Sequence, residues 1–238
     1  MRRIDLREER IFENKKQFDK NIRQNQSKFY WAVEIPSKQH DLNTFEKIKD
    51  KKVLEIGCSN GFAATKYSKY FHAYIGIDIS DEAINKANSL KLKNTKFICT
   101  DAHLLPIEKE TIDCVIVNSL LHHLDLKKAL SEINRVLKKD GYLIFREPLG
   151  TNPFFQLYRL FTPNARTPDE KPFDFNDIKI MRSYFKLKNI QYFGFLNIFS
   201  AYLKSKFIRK ILSLIDYYLS KTFLKFFFWQ FSGFIQKR

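Results

Sequence analysis

The feature that most constrains this 238-residue chain is a change of period near Lys52. From there to Glu147, short apolar runs of β character alternate with stretches of helical periodicity. The pattern predicts strands over 53–56, 73–79, 96–100, 113–117 and 142–145, with helices over about 61–70, 81–89 and 126–137. The third helix carries Leu130, Ile133 and Leu137 on one face. It is expected to stop at Lys138-Lys139-Asp140-Gly141, a basic last turn followed by glycine. Strands and helices alternating at this spacing form parallel βαβ units with right-handed crossovers. After Asp113 the run 114–117 is apolar, as in a strand buried on both faces.

The first joint, VLEIGCSNG over 53–61, reads as a strand, a tight turn and a helix start. Small residues at Gly57, Cys58 and Ser59 let the backbone approach a ligand closely, and the helix N-terminus suits an anionic group. Such a turn alone occurs in nucleotide enzymes of several kinds. Two acids narrow the choice. Asp78, at the end of the second strand, can accept from both hydroxyls of a ribose. Asp101, at the end of the third, can accept from the exocyclic amine of adenine. Each taken singly is equally a helix N-cap or a turn former. Together they stand at successive strand ends, where open α/β sheets bind ligands.

On these motifs residues 53–147 resemble the small-molecule branch of class I S-adenosylmethionine-dependent methyltransferases, the group called methyltransferase type 11. The resemblance implies an α/β fold: a doubly wound, seven-stranded, mostly parallel Rossmann-like sheet that binds S-adenosyl-L-methionine. Glu55, Gly57, Cys58 and Gly61 would hold the methionine part, with Glu55 near its amino group. Asp78 with Ile79 would serve the ribose, Asp101 with Ala102 the adenine, and Asn118 closes the fourth-strand motif. That motif continues through Leu121-His122-His123-Leu124, and Arg135-Val136-Leu137-Lys138 with Gly141-Tyr142-Leu143 matches the stretch before the fifth strand. Ser59 departs from the pattern, standing where the family usually has its middle glycine. A negative φ would accommodate it; a positive one carries strain of about 1–3 kcal/mol. A dehydrogenase fits less well, because only Gly57 and Gly61 of a GxGxxG pattern are present.

Methyl transfer to a hydroxyl needs alignment and a proton acceptor. His122 and His123 follow the fourth strand, at the mouth where an acceptor would meet the methyl group, and histidine has a pKa suited to that work. His122 is the preferred base; simple loop packing is the alternative for both. Glu147, just past the fifth strand, is a further catalytic candidate. Two residues are candidate substrate contacts: Tyr30, in the aromatic knot Phe29-Tyr30-Trp31, and Arg166, in the loop Arg166-Thr167-Pro168-Asp169-Glu170. Arg166 suits a bidentate grip on phosphate or carboxylate, or a structural ion-pair cluster with Asp169 and Glu170. The sequence shows no ligand spacing for a metal, and Cys58, Cys99 and Cys114 read as free thiols.

Three regions follow. Residues 1–50 form a helical N-terminal extension with Ile4, Ile11, Phe18 and Ile22 as its apolar stripe. Residues 51–147 form the cofactor-binding core. Residues 148–238 hold a proline-punctuated insertion, then a helix over 174–185, a strand over 188–195, a helix over 203–220 and a final antiparallel strand over 226–235. The net charge of +16 is concentrated here, since 151–238 holds 15 basic and 5 acidic residues. From 178 onward there are twelve basic residues against one acid, Asp216, interleaved with aromatics. Such asymmetry favours an anionic partner, with a solvated lysine-rich surface as the alternative. A phospholipid surface giving access to a small-molecule or lipid- or glycan-linked acceptor is preferred. Nucleic acid is the weaker candidate: 118–121, Asn-Ser-Leu-Leu, lacks the Asn/Asp-Pro-Pro-aromatic signature of base methylation. The expected function is O-methylation of such an acceptor, with an RNA methyltransferase or a non-catalytic cofactor-binding adaptor as alternatives. The N-terminus lacks a signal-type apolar core and no run reaches about 18 charge-free apolar residues, so a cytoplasmic protein, peripheral at the inner membrane face, is expected.

Overall fold

The computed structural model describes residues 10, 11, 14, 32, 33, 46–161, 171–203 and 205–238. The expected N-terminal helical extension lies largely outside these residues, and Tyr30, Arg166 and the loop to Glu170 lie wholly outside them.

Five parallel strands carry the core: β1 (Lys52–Ile56), β2 (Ala73–Asp78), β3 (Thr95–Cys99), β4 (Ile112–Asn118) and β5 (Leu137–Pro148). The C-terminal region adds β6 (Phe185–Lys186), β7 (Ile190–Phe193) and β8 (Gln230–Lys237). The sheet order is β3-β2-β1-β4-β5-β8-β6, with β7 also on β8. β8 runs antiparallel to β5, which makes it the expected closing strand. The last sheet position is one interrupted strand: β6 and β7 pair with opposite ends of β8, and Asn189 between them takes a left-handed φ of 59°. This is the doubly wound sheet expected from the sequence, with its edge split.

The crossover helices are α1 (Phe62–Tyr67), α2 (Asp81–Ser89) and α3 (Leu126–Val136); α4 (Pro153–Leu160), α5 (Phe175–Tyr184), α6 (Ser200–Leu203) and α7 (Lys206–Leu219) follow. The caps explain several boundaries. Ser80 accepts from the Ala83 N–H, Asp125 from Lys128, and Asp174 forms a capping box with Asp177. Such caps each stabilise a helix by about 1 kcal/mol. Both sheet faces are covered. Along β4, Val115 and Val117 pack into one apolar layer with Leu130 and Ile133 of α3, while Cys114 and Ile116 join Val53 and Tyr74 in the other.

Two expectations are corrected. α3 ends at Val136, and the basic stretch predicted as its C-terminal stop is the beginning of β5. Leu137 is fully buried and pairs with Ile112 ahead of a register shift, so burial of one leucine in the sheet prevails over a helix-stop signal in the exposed lysines after it. The helix expected over 203–220 is α7, which starts only at Lys206 under a Ser205 cap, and Leu203 instead ends the separate helix α6. No helix among the described residues is long and apolar enough to cross a membrane.

Candidate cofactor and acceptor site

The first strand tip turns where Gly57 and Gly61 take φ of 79° and 77°. A Cβ on Gly57 would stand 2.8 Å from Leu120 Cδ2, so the turn is also pressed against the loop after β4. Ser59 takes φ 48°, the left-handed region, and its N–H donates to Asp78 Oδ2 at 2.8 Å. The strain anticipated for a positive φ is therefore present, held by a charge-assisted bond. Cys58 is buried beneath the turn, and burial pushes its thiol pKa up. Helix α1 starts from Gly61 without a side-chain cap.

Asp78 accepts from Ser59 with one oxygen and from the Ser80 N–H with the other, at 2.9 Å. Carboxylate oxygens accept more than one hydrogen bond, so these two contacts orient the group while a diol can still bind. Asp101 Oδ1 accepts from the His103 N–H at 2.9 Å and lies 2.7 Å from His103 Nδ1. His103 Nε2 accepts from the Asp125 N–H, which places the imidazole proton on Nδ1, facing Asp101. Asp101 Oδ2 makes no hydrogen bond among the described residues, as suits an acceptor for an amine. Ile79 is half-buried, Ala102 is buried, and Asn118 stands exposed at the end of β4. The turn-former readings of both acids are borne out, and neither set of turn contacts uses up the carboxylate's capacity to accept. The two glycines and the two oriented carboxylates at adjacent strand ends fit the adenosyl group that the sequence implied.

Glu55 differs. Its carboxylate is buried and accepts from the Tyr74 hydroxyl, so any contact to a ligand amine shares the group with that tyrosine. Burial raises its pKa to about 7.

The fourth and fifth strand tips make a second cluster. Glu147 is fully buried, and burial pushes its pKa up to about 8. Its Oε1 accepts from the Leu120 and Leu121 N–H groups at 3.0 and 2.9 Å, and its Oε2 lies 2.6 Å from His122 Nδ1. The His123 ring lies 4.2 Å from that of His122. His122 also lines a cavity of about 500 Å³ between the start of α3 and α5, with Asp125, Lys128, Lys171 and Phe173. A larger cavity, about 620 Å³, lies between α5, β7 and α7, and none of the strand-tip residues lines it.

The structure therefore brings His122, His123 and Glu147 together, and separately joins Cys58, Ser59 and Asp78. Tyr74 and His103 were missed in the sequence. A tyrosine opening a strand reads as core, whereas a histidine two residues past a strand-end acid was a legible signal.

Residues 54–145 match the family model described as Methyltransferase domain. An uncharacterized protein of Methanocaldococcus jannaschii is 34% identical over 143 residues, 58% of this chain and 57% of that protein. The ubiquinone/menaquinone biosynthesis C-methyltransferase UbiE of Campylobacter jejuni is 35% identical over 107 residues, 42% of this chain and 45% of that protein. The chain thus spans about half the length of these curated relatives. Among solved structures, geranyl diphosphate C-methyltransferase from Streptomyces coelicolor superposes with a TM-score of 0.61 at 14% identity, covering 83% of this chain and 79% of that one. That last likeness is one of fold.

Proposed function

Because residues 54–145 are a class I S-adenosylmethionine-dependent methyltransferase domain, we propose that the chain transfers a methyl group to a hydroxyl of a small or lipid- or glycan-linked acceptor, with His122 taking the proton. The observation that carries this reading is the 2.6 Å contact between His122 Nδ1 and the buried Glu147 carboxylate at the strand tips. Burial raises Glu147 to about 8, so above that pH it is a carboxylate; an imidazole that donates to it from Nδ1 then accepts at Nε2, the arrangement of an oriented general base.

Bound S-adenosyl-L-methionine supplies an electrophilic methyl carbon for in-line displacement. The chain's own residues supply the rest. Gly57, Cys58 and Gly61 let the backbone approach the methionine part. Asp78 with Ile79 would take the ribose, and Asp101 with Ala102 the adenine. Asn118, exposed at the end of β4, is a further candidate cofactor contact. Glu147 fixes the ring of His122 and ties the loop after β4 to the end of β5. Burial of this pair excludes water from the proton transfer.

A carbon acceptor is the second reading, favoured by the likeness to UbiE and the geranyl diphosphate enzyme, both C-methyltransferases. The same base would then take a proton from an acidic C–H. The test is incubation of the protein and methyl-labelled cofactor with separated lipid, glycan and RNA fractions. Label in a lipid or glycan product as a methoxy group supports the proposal. Label as a C-methyl group moves it to the second reading, and label in RNA alone overturns both.

A further inference from the structure

Helix α7 is built inside out. An amphipathic helix on a protein surface ordinarily turns its apolar stripe to the core. In α7 the two buried residues are Arg209 and Asp216, both charged. The Asp216 carboxylate accepts from the N–H groups of Phe195, Leu196 and Asn197 at 3.1, 2.8 and 3.1 Å, capping the short turn Leu196–Phe199. Ser213 and Ser220, each four residues on from one of these, continue the inward polar stripe and are half-buried. The opposite stripe is Phe207, Ile211, Leu214, Ile215 and Tyr218, at i, i+4, i+7, i+8 and i+11, and all five are exposed, Phe207 to 73%. The preceding helix α6 adds Tyr202 and Leu203, both exposed.

The charges say what covers this face. Lys206, Lys210 and Lys221 are exposed beside the stripe. The one acid from 178 onward, Asp216, is buried under the helix with its charge satisfied from within, so the outward surface of this segment is cationic. A second copy of the chain docking through the same face would set lysine against lysine, which like charge disfavours. An apolar stripe flanked by lysines, with a tyrosine at the edge, matches the interface of an anionic lipid bilayer.

We infer that α7, with the turn of α6 before it, lies in the headgroup region of an anionic membrane, apolar stripe inward to the lipid and lysines at the phosphates. The stripe enters to about 5–10 Å, the depth usual for interfacial helices. This goes beyond the methyl-transfer reading and does not depend on it: the surface is distant in sequence from His122, and its test reads lipid binding alone.

The experiment is flotation of the full chain with phosphatidylcholine vesicles, with and without phosphatidylglycerol, across a salt series. Binding is expected only where phosphatidylglycerol is present and should weaken with salt. The double substitution Phe207→Ser, Leu214→Ser removes two exposed apolar side chains and should weaken binding on the order of 100-fold. Lys206→Gln with Lys210→Gln should weaken it roughly 20- to 30-fold at low salt. A thermal melt and cofactor calorimetry on each variant are expected to match the parent. Three results would overturn the inference: no flotation of the parent with phosphatidylglycerol, flotation unchanged by both double substitutions, or a lipid-free dimer that Phe207→Ser, Leu214→Ser converts to monomer. If the apolar variant fails to fold, the lysine pair decides alone.

Discussion

His122 Nδ1 lies 2.6 Å from Glu147 Oε2, while Oε1 of the same carboxylate takes the N–H groups of Leu120 and Leu121. One buried side chain at the end of β5 therefore sets both the path of the loop after β4 and the orientation of the imidazole on it. Position and chemistry are coupled here. Ser119, just before the loop, holds a left-handed φ of 51°, and the two bonds to Glu147 fix the chain that leaves it.

Glu147→Gln separates the two roles. The amide oxygen of glutamine can still accept from Leu120 and Leu121, but its NH2 group would face Nδ1 as a donor. The imidazole would then carry its proton on Nε2, and its capacity as a base would be lost. Above about pH 8, where Glu147 is ionised in the parent, turnover should fall by about 10²–10⁴-fold, the range of a general base. Cofactor affinity by calorimetry should stay within about twofold. A variant with unchanged kcat removes the pair from the chemistry.

Asp78→Ala and Asp101→Asn test the other half of the site. Alanine at 78 removes the ribose acceptor and the bond that holds the Ser59 N–H, so calorimetry should show cofactor binding weakened at least 100-fold, with some loss of stability. Asparagine at 101 can keep its oxygen on His103 but presents NH2 in place of Oδ2. Binding of the cofactor should fall, while the melting temperature stays close to the parent's.

Ser59 holds φ 48° in a turn flanked by two left-handed glycines. A non-glycine residue there costs about 1–2 kcal/mol, and glycine returns about 0.5–1 kcal/mol of that as lost chain entropy. Ser59→Gly should therefore stabilise the fold by roughly 0.5–1 kcal/mol, a rise in Tm of about 2–3 °C for a chain of this size. Thermal unfolding measures it. A fall in Tm would show that the serine hydroxyl contributes more than its backbone strain subtracts.

Local signals made the core legible. Helix α2 was placed to the residue because Ser80 caps it and Asp81 and Glu82 fill its first turn. β1 to β4 were found within a residue or two because each is a short run rich in apolar and β-branched residues. The start of β5 was not legible, since Lys138 to Gly141 resemble a helix end and only the pairing of Leu137 with Ile112 shows otherwise. The split edge at Asn189 depends on β8, which follows far along the chain. In the site, strand-end acids and the His122–His123 pair were readable by position. The contacts of Glu147 with His122 and of Tyr74 with Glu55 join separate strands or loops and have no local signature. The orientation of α7 was hidden for a related reason: periodicity identifies an apolar face without saying which way it points.

Stability should depend on pH through the two buried glutamates. Burial raises Glu55 to about 7 and Glu147 to about 8, whereas both titrate near about 4.3 in an unfolded chain. Between those limits the native state holds protons that the unfolded state has released. Linkage then makes stability fall as pH rises, by up to about 1.4 kcal/mol per pH unit for each carboxyl. The loss begins above about pH 4.3 and is complete near pH 7 for Glu55 and near pH 8 for Glu147. Asp113 and Asp174 act in the opposite sense: hydrogen bonds from Lys138 and Lys171, among others, hold them low against partial burial, so their contribution disappears as the solution is acidified. Denaturant midpoints should therefore be highest near pH 5 and decline toward pH 8. Glu55→Gln and Glu147→Gln should each flatten part of that decline, Glu147→Gln alone affecting the stretch from pH 7 to 8. A decline of the same slope in both variants would mean that neither carboxyl is protonated in the native state.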